Sequence, residues 1–237
     1  MDIGILSTIQ KYMKKSILKI RNNDRIGTGF FLSIPFQNKH LLRVIITCDF
    51  MLNKEDISQE KTIHFFLDEK YYKILIDKSR IVYTNELYNI TIIEIKHSDS
   101  FDMPSFLEID DRIFNDNLLW LIGLPINLLG YYKGKKCEIF STEIKSLDLE
   151  NYEIFYSCDG SYGIAGGPIL NLDCKVIGIH IGSNRQGDQI GKLLNKPIEA
   201  LNEYDSSFNL SNSILNMTYL EKDLTKIIES NSPERGN

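Results

Sequence analysis

From residue 16 to residue 194 the chain is written in short runs that alternate apolar and polar side chains, each cut off by Asn, Asp, Lys or Gly. Alternation with a period of about two turns one face of an extended segment toward a core and the other toward water. The runs predict strands over 16–21, 28–35, 41–47, 62–67, 71–76, 79–84 and 90–95. A second set follows over 118–123, 136–140, 142–147, 152–156, 168–172, 175–182 and 189–194. Isoleucine is abundant throughout, and β-branched and aromatic residues favour half-buried pleated surfaces. The ends differ. Ile5, Ile9 and Tyr12 or Met13 recur at helical spacing with lysines opposite, which predicts a short amphipathic helix over 3–15. Pro197 suits the first turn of a terminal helix, and Leu220, Leu224, Ile227 and Ile228 repeat the helical pattern further on.

These elements give an all-β expectation with flanking helices, and the length of the chain divides comfortably into two small six-stranded barrels. The boundaries are a helix over 1–15, a first barrel over 16–100, a linker over 101–117, a second barrel over 118–196, a helical region over 197–230 and a tail over 231–237. The linker carries Phe101, Met103, Phe106 and Leu107 as apolar anchors among aspartates. Those aspartates lack the ligand spacing around a central glycine that a calcium loop needs, so a solvated crossover is expected. Gly130–Gly134 reads as an exposed hairpin tip, and Gly182–Gln189 as a polar turn whose glycines permit positive φ.

Three motifs carry chemistry. Gly163-Ile164-Ala165-Gly166-Gly167-Pro168 precedes the strand Val176-Ile177-Gly178-Ile179-His180. Val44-Ile45-Ile46-Thr47 leads into Cys48-Asp49-Phe50-Met51-Leu52, and Asn89 leads into Ile90-Thr91-Ile92-Ile93-Glu94-Ile95. Together with Gly27-Thr28-Gly29-Phe30-Phe31-Leu32, these resemble, in order and spacing over about residues 16–200, the trypsin-like (chymotrypsin-fold) serine proteases of intracellular and microbial type. That resemblance implies two β-barrels with an active site between them. It also implies that Ala165 stands where the nucleophilic serine would be, Phe50 where the histidine would be and Asn89 where the orienting aspartate would be. Gly163, Ile164 and Ala165 then correspond to the oxyanion-hole segment.

The loss can be argued without the family. Acyl transfer of this kind needs a nucleophile, a base to take its proton and an acceptor to hold that base. A methyl group has no lone pair, a benzyl ring accepts no proton, and an amide carries no charge. Loss of one member removes most of the acceleration because the members act as a unit. An oxyanion hole alone leaves roughly 10³-fold catalysis over water. The expectation is a pseudoprotease, not an enzyme, with a binding, scaffolding or structural role. The alternatives are a hydrolase with a non-standard site or a self-assembling structural protein.

Other side chains were weighed for substitute roles. His40, His64 and His97 read as structural or solvated histidines. The resemblance implies that His180 matches the histidine lining the first specificity pocket of relatives that prefer glutamate or glutamine; a hydrogen-bonded strand histidine is the other reading. Cys158, Asp159 and Ser161 lie upstream of Ala165, and a relocated Cys158–His180 pair would need an oxyanion site aimed differently. Gly182, Arg185, Tyr131, Tyr132 and Tyr162 are candidate ligand-binding residues beside the groove that the fold implies. Arg185 could take a carboxylate.

Composition narrows the partners. With 27 Lys plus Arg against 32 Asp plus Glu, the formal net charge is −5, which disfavours a broad pull toward nucleic acid or anionic membrane. No nucleic-acid partner, membrane span, cofactor or metal is expected, whereas a peptide or protein ligand and a homo-oligomer are. No leader with an apolar run and small-residue cleavage site is read at the N-terminus. The four cysteines show neither zinc spacing nor a dense disulfide pattern, so an intracellular, cytoplasmic location is expected.

Overall fold

The structure, a computed structural model, describes residues 3–37, 40–58, 60–102, 104–158 and 163–206. Helix α1 (Ile3–Lys15) buries Ile9 completely and half-buries Tyr12 and Met13, as the helical spacing requires. The Ser16 N–H donates to the Tyr12 carbonyl at 2.8 Å, and the chain passes straight into β1 (Ile17–Asn22).

The first half continues through β2 (Arg25–Phe36), β3 (His40–Thr47), β4 (Thr62–Leu67), β5 (Lys70–Leu75), β6 (Val82–Asn85) and β7 (Ile90–Glu94). Their order in the sheet is β5-β4-β1-β2-β3-β7-β6, and β8 (Leu107–Glu108) runs parallel to β2. Its strand pairing leaves this half an open barrel rather than the closed six-stranded one expected. Arg80 crosses the seam. Its guanidinium donates to the Leu75 carbonyl at the end of β5 (3.1 Å) and to the Glu94 carbonyl at the end of β7 (2.7 Å). It also meets both oxygens of Asp99 at 2.8 Å, with the two side chains only 3% and 10% exposed. A cation this buried persists because its charge and its donors are matched.

The second half is β9 (Pro125–Tyr132), β10 (Lys136–Asp148), β11 (Glu153–Tyr156), β12 (Pro168–Leu170), β13 (Val176–Ser183) and β14 (Gln189–Leu193). These close into a barrel in the order β10-β11-β14-β13-β12-β9. Helix α2 (Asn195–Ser206) follows, with Pro197 in its first turn and Asn202 donating to the Pro35 carbonyl of β2.

Several expectations are corrected. Residues 118–123 form no strand. Leu119–Leu121 is a 3-10 turn that leaves Leu119 and Ile122 more than half exposed. The strand expected over 79–84 begins only at Val82, because Arg80 is committed to the seam. The two strands expected over 136–140 and 142–147 are one, β10, which pairs with β9 up to Glu143 and with β11 from Ile144. Gly130, Tyr131 and Tyr132 belong to β9, so the hairpin tip is confined to Lys133–Lys135. The linker is not simply solvated. β8 joins the first sheet, Phe101 packs on Phe31 at 5.5 Å, and Asp110 is buried while accepting from Arg112 and Asn171. The helical pattern expected at 219–228 lies outside the described residues.

Candidate functional site

Thr28 sits at the junction of the two halves and organises the loop that carries Ala165. Its backbone N–H donates to the Ala165 carbonyl (2.8 Å) and its hydroxyl donates to the Gly163 carbonyl (2.9 Å). The same hydroxyl accepts the Tyr131 N–H of β9 at 3.0 Å, and the Thr28 carbonyl accepts the Thr47 hydroxyl of β3 at 2.8 Å. One fully buried threonine thus serves two strands and the loop. The Gly27-Thr28-Gly29 motif is legible in the sequence, but the task of its hydroxyl is not. The signal available was a polar residue in an otherwise buried run.

Gly166 must be glycine. Its φ is +87°, and a Cβ there would collide with the Thr28 carbonyl oxygen. Its N–H donates to the His180 carbonyl (2.8 Å), the His180 N–H donates to Gly167 (2.9 Å), and the Gly167 N–H closes back on Ile164 (2.8 Å). The loop is therefore pinned between β2 and β13, with Gly163 and Ile164 buried and Ala165 partly exposed.

Across the cleft, β3 ends at Thr47 and the chain turns through Cys48 and Asp49 to Phe50. The Asn89 side-chain oxygen accepts the Phe50 N–H at 3.2 Å, from a turn in which Asn89 adopts φ +47°. Asparagine tolerates this conformation better than most residues. Positions 50 and 89 are thus adjacent, as the resemblance implies. The Phe50 ring is 61% exposed, its centroid 6.0 Å from the Arg25 guanidinium. Arg25 also donates to the Phe50 carbonyl (2.6 Å) and to Asp56 (2.8 Å), an unanticipated brace. Cys48 is fully buried, and burial pushes its thiol up to about 12, so it is no nucleophile.

His180 is wholly buried on β13. Its Nδ1 meets the Tyr156 hydroxyl of β11 at 2.7 Å, and its Nε2 has no hydrogen-bond partner among the described residues. Burial drives its pKa down to about 4, so the ring is neutral near pH 7. Tyr156 was not foreseen, since its link to His180 spans residues far apart in sequence.

The other candidates separate. Gly182 has φ +145° and open space around it. Arg185 is exposed on a turn held by the Asn184 side chain, which accepts from Gln186 (3.0 Å) and Asp188 (2.9 Å). Tyr131 is buried, with the Lys19 ammonium 5.6 Å from its ring, and Tyr132 packs edge-on to Phe140. Tyr162, Ser161 and Asp159 lie outside the described residues. His40, His64 and His97 are exposed. Among the described residues no three His, Cys, Asp or Glu side chains gather as metal ligands, no disulfide joins the cysteines, and no helix is long and apolar enough to cross a membrane.

Comparison with solved structures bears on this arrangement. An inactive, serine-to-alanine mutant form of Rv3671c from M. tuberculosis superposes with a TM-score of 0.60 at 16% identity, over 88% of this chain and 96% of that one. The active form of that protease gives 0.56 at 15% identity, over 81% and 82%. A serine endoprotease from Yersinia pestis gives 0.61 at 14% identity, over 87% of this chain and 69% of that one. The fold is chymotrypsin-like. No protein-family model matches the chain, and no curated protein matches it. At such identities the likeness concerns architecture, and function must be argued from the site.

Proposed function

We propose that this chain is a catalytically inert member of the protease-fold architecture that binds an extended peptide in the cleft. The observation that carries the reading is the pairing of the Phe50 N–H with the Asn89 amide oxygen beside the loop of Ala165. A ring, an amide and a methyl group occupy the places where base, anion and nucleophile are needed.

The binding half of the proposal rests on β13. Its pairing with β12 runs only as far as Ile179, while pairing with β14 continues to Ser183. Ile181–Ser183 therefore presents one strand edge beyond β12, where a peptide can add by backbone hydrogen bonds. Gly182 leaves room for that approach. His180, wholly buried on the same strand with its Nδ1 on the Tyr156 hydroxyl, supports this edge from inside the barrel.

The test is a displayed random-peptide selection followed by titration of the enriched peptides, run beside turnover of fluorogenic peptide and ester libraries. Enrichment of extended peptides, bound saturably and without cleavage, is the expected result. Turnover abolished by His180→Leu or Cys158→Ala would overturn the reading.

A further inference from the structure

The outer surface of the first sheet sorts its side chains in a way the net charge conceals. Lys19 on β1 stands opposite Phe66 on β4, which stands opposite Tyr71 on β5. In the next row His64 stands opposite Lys73. Arg21 and Lys73 are exposed, and Tyr71 is 55% exposed. The Tyr71 ring lies parallel to His64, with their centroids 5.7 Å apart and a hydrogen bond between them, and its centroid is 5.6 Å from that of Phe66. The Lys19 ammonium is held 5.2 Å from the Phe66 centroid and donates to the Gly134 carbonyl at 3.3 Å. No carboxylate occupies the outward positions of β1, β4 or β5.

The Lys19 ammonium also lies 5.6 Å from the ring of Tyr131, which lines a cavity of about 660 Å³ together with Lys11, Lys14 and Lys136. Asp68 and Glu69 border it too, so the excess positive charge resides chiefly on the strands. Among the described residues Lys11, Lys14, Lys19, Arg21, Lys73 and Lys136 enter no salt bridge, although eight other Lys or Arg side chains do, including Lys70, Arg80 and Lys192. Cations left without a counter-ion and interleaved with exposed rings are the two components of a single-strand platform: phosphates meet the ammonium groups and unstacked bases lie on the rings.

We infer that the outer face of β1, β4 and β5 binds single-stranded nucleic acid, with bases on Phe66, Tyr71 and His64 and phosphates at Lys19, Arg21 and Lys73. The formal net charge of −5 disfavours a broad pull, but charges beyond about 10 Å are screened at 0.1 M salt, so the local cations govern a strand laid against them. Rings presented on a sheet suit exposed bases better than a duplex, whose bases are stacked inside. The site is separate from the peptide cleft and stands or falls independently of it.

The experiment is fluorescence anisotropy of labelled 20-residue oligo-dT and oligo-U with the full chain. Saturable binding is expected at 50 mM salt, weakened roughly 20-fold at 200 mM for about three phosphate contacts. Tyr71→Ala, at an exposed position, should weaken it about 10-fold through lost stacking. Replacing Arg21 and Lys73 by Gln should flatten the salt dependence while leaving the Tyr71 effect in place. Absence of binding at 50 mM salt would overturn the inference. So would binding indifferent to Tyr71→Ala, or competition by polyglutamate or phosphatidylserine vesicles as effective as by the unlabelled strand.

Discussion

The side-chain oxygen of Asn89 accepts the backbone N–H of Phe50 at 3.2 Å. An aspartate at 89 could accept the same N–H; on the inert reading proposed above, the frame that would orient a base is retained while a ring stands in place of the base. Restoring function then needs all three changes. Phe50→His, Asn89→Asp and Ala165→Ser together should hydrolyse an activated ester at least ~10³-fold faster than any single variant, since the groups act as a unit. Burst kinetics with a nitrophenyl ester would measure it. If Ala165→Ser alone equals the triple variant, a different base is operating and the inert reading fails.

The Thr28 hydroxyl donates to Gly163 and accepts from Tyr131 inside the molecule. Thr28→Val keeps the shape but strands a buried N–H and a buried carbonyl. A loss of about 1–3 kcal/mol is expected for groups left unsatisfied. Urea denaturation measures the loss, and Thr28→Ser, which keeps the hydroxyl, should recover part of it. Equal losses in both variants would mean that packing of the methyl group matters and the hydrogen bonds do not.

Arg80 and Asp99 close the seam of the open barrel with both side chains buried. Removing one partner leaves the other charge buried alone, so Arg80→Met should cost about 3–5 kcal/mol. The double variant Arg80→Met with Asp99→Leu should cost less than Arg80→Met alone. Stability unchanged in Arg80→Met would remove the seam argument.

His180 gives a pH dependence whose sign can be worked out. Its folded pKa of about 4 lies below the ordinary 6.5, so between those values the unfolded chain binds the extra proton. Stability therefore falls as pH drops from 6.5 toward 4, by at most about 3 kcal/mol for this one group. Folding stability of the wild type and of His180→Phe, compared at pH 7 and pH 4.5, should differ in slope over that window. The lowered carboxyls of Asp56 and Asp110 stabilise above their ordinary 3.8 and lose that contribution in stronger acid, outside the comparison. Parallel slopes for the two proteins would show that His180 is not kept neutral by the fold.

The fold was most legible where burial is two-sided. β2, β3, β7 and β13 are near-continuous apolar runs bounded by turns, and they lie where the pattern puts them. Leu118–Ile122 reads the same way locally but forms a 3-10 turn, because Gly123 and Pro125 follow too closely for a strand. Ser141-Thr142 reads as a break, yet β10 runs through it, with Ser141 donating to Asn127 across the β9 pair. β8 is two residues long and leaves no periodicity to find. At the site, motif order singles out Phe50, Asn89 and Ala165, and the hydrogen bond between Phe50 and Asn89 is what the structure adds. The Tyr156 partner of His180 and the task of Thr28 were not readable, because both depend on contacts between residues distant in sequence.

The bonds of Thr28 have a consequence for how the molecule must be made. A single residue of the N-terminal half carries the donor that holds the Gly163 carbonyl and the acceptor that receives β9, both supplied by the C-terminal half. Severed between β8 and β9, the later fragment would have nothing to shape its loop upon. Ribosomal synthesis delivers Thr28 long before Gly163, so the template is already waiting when the loop emerges.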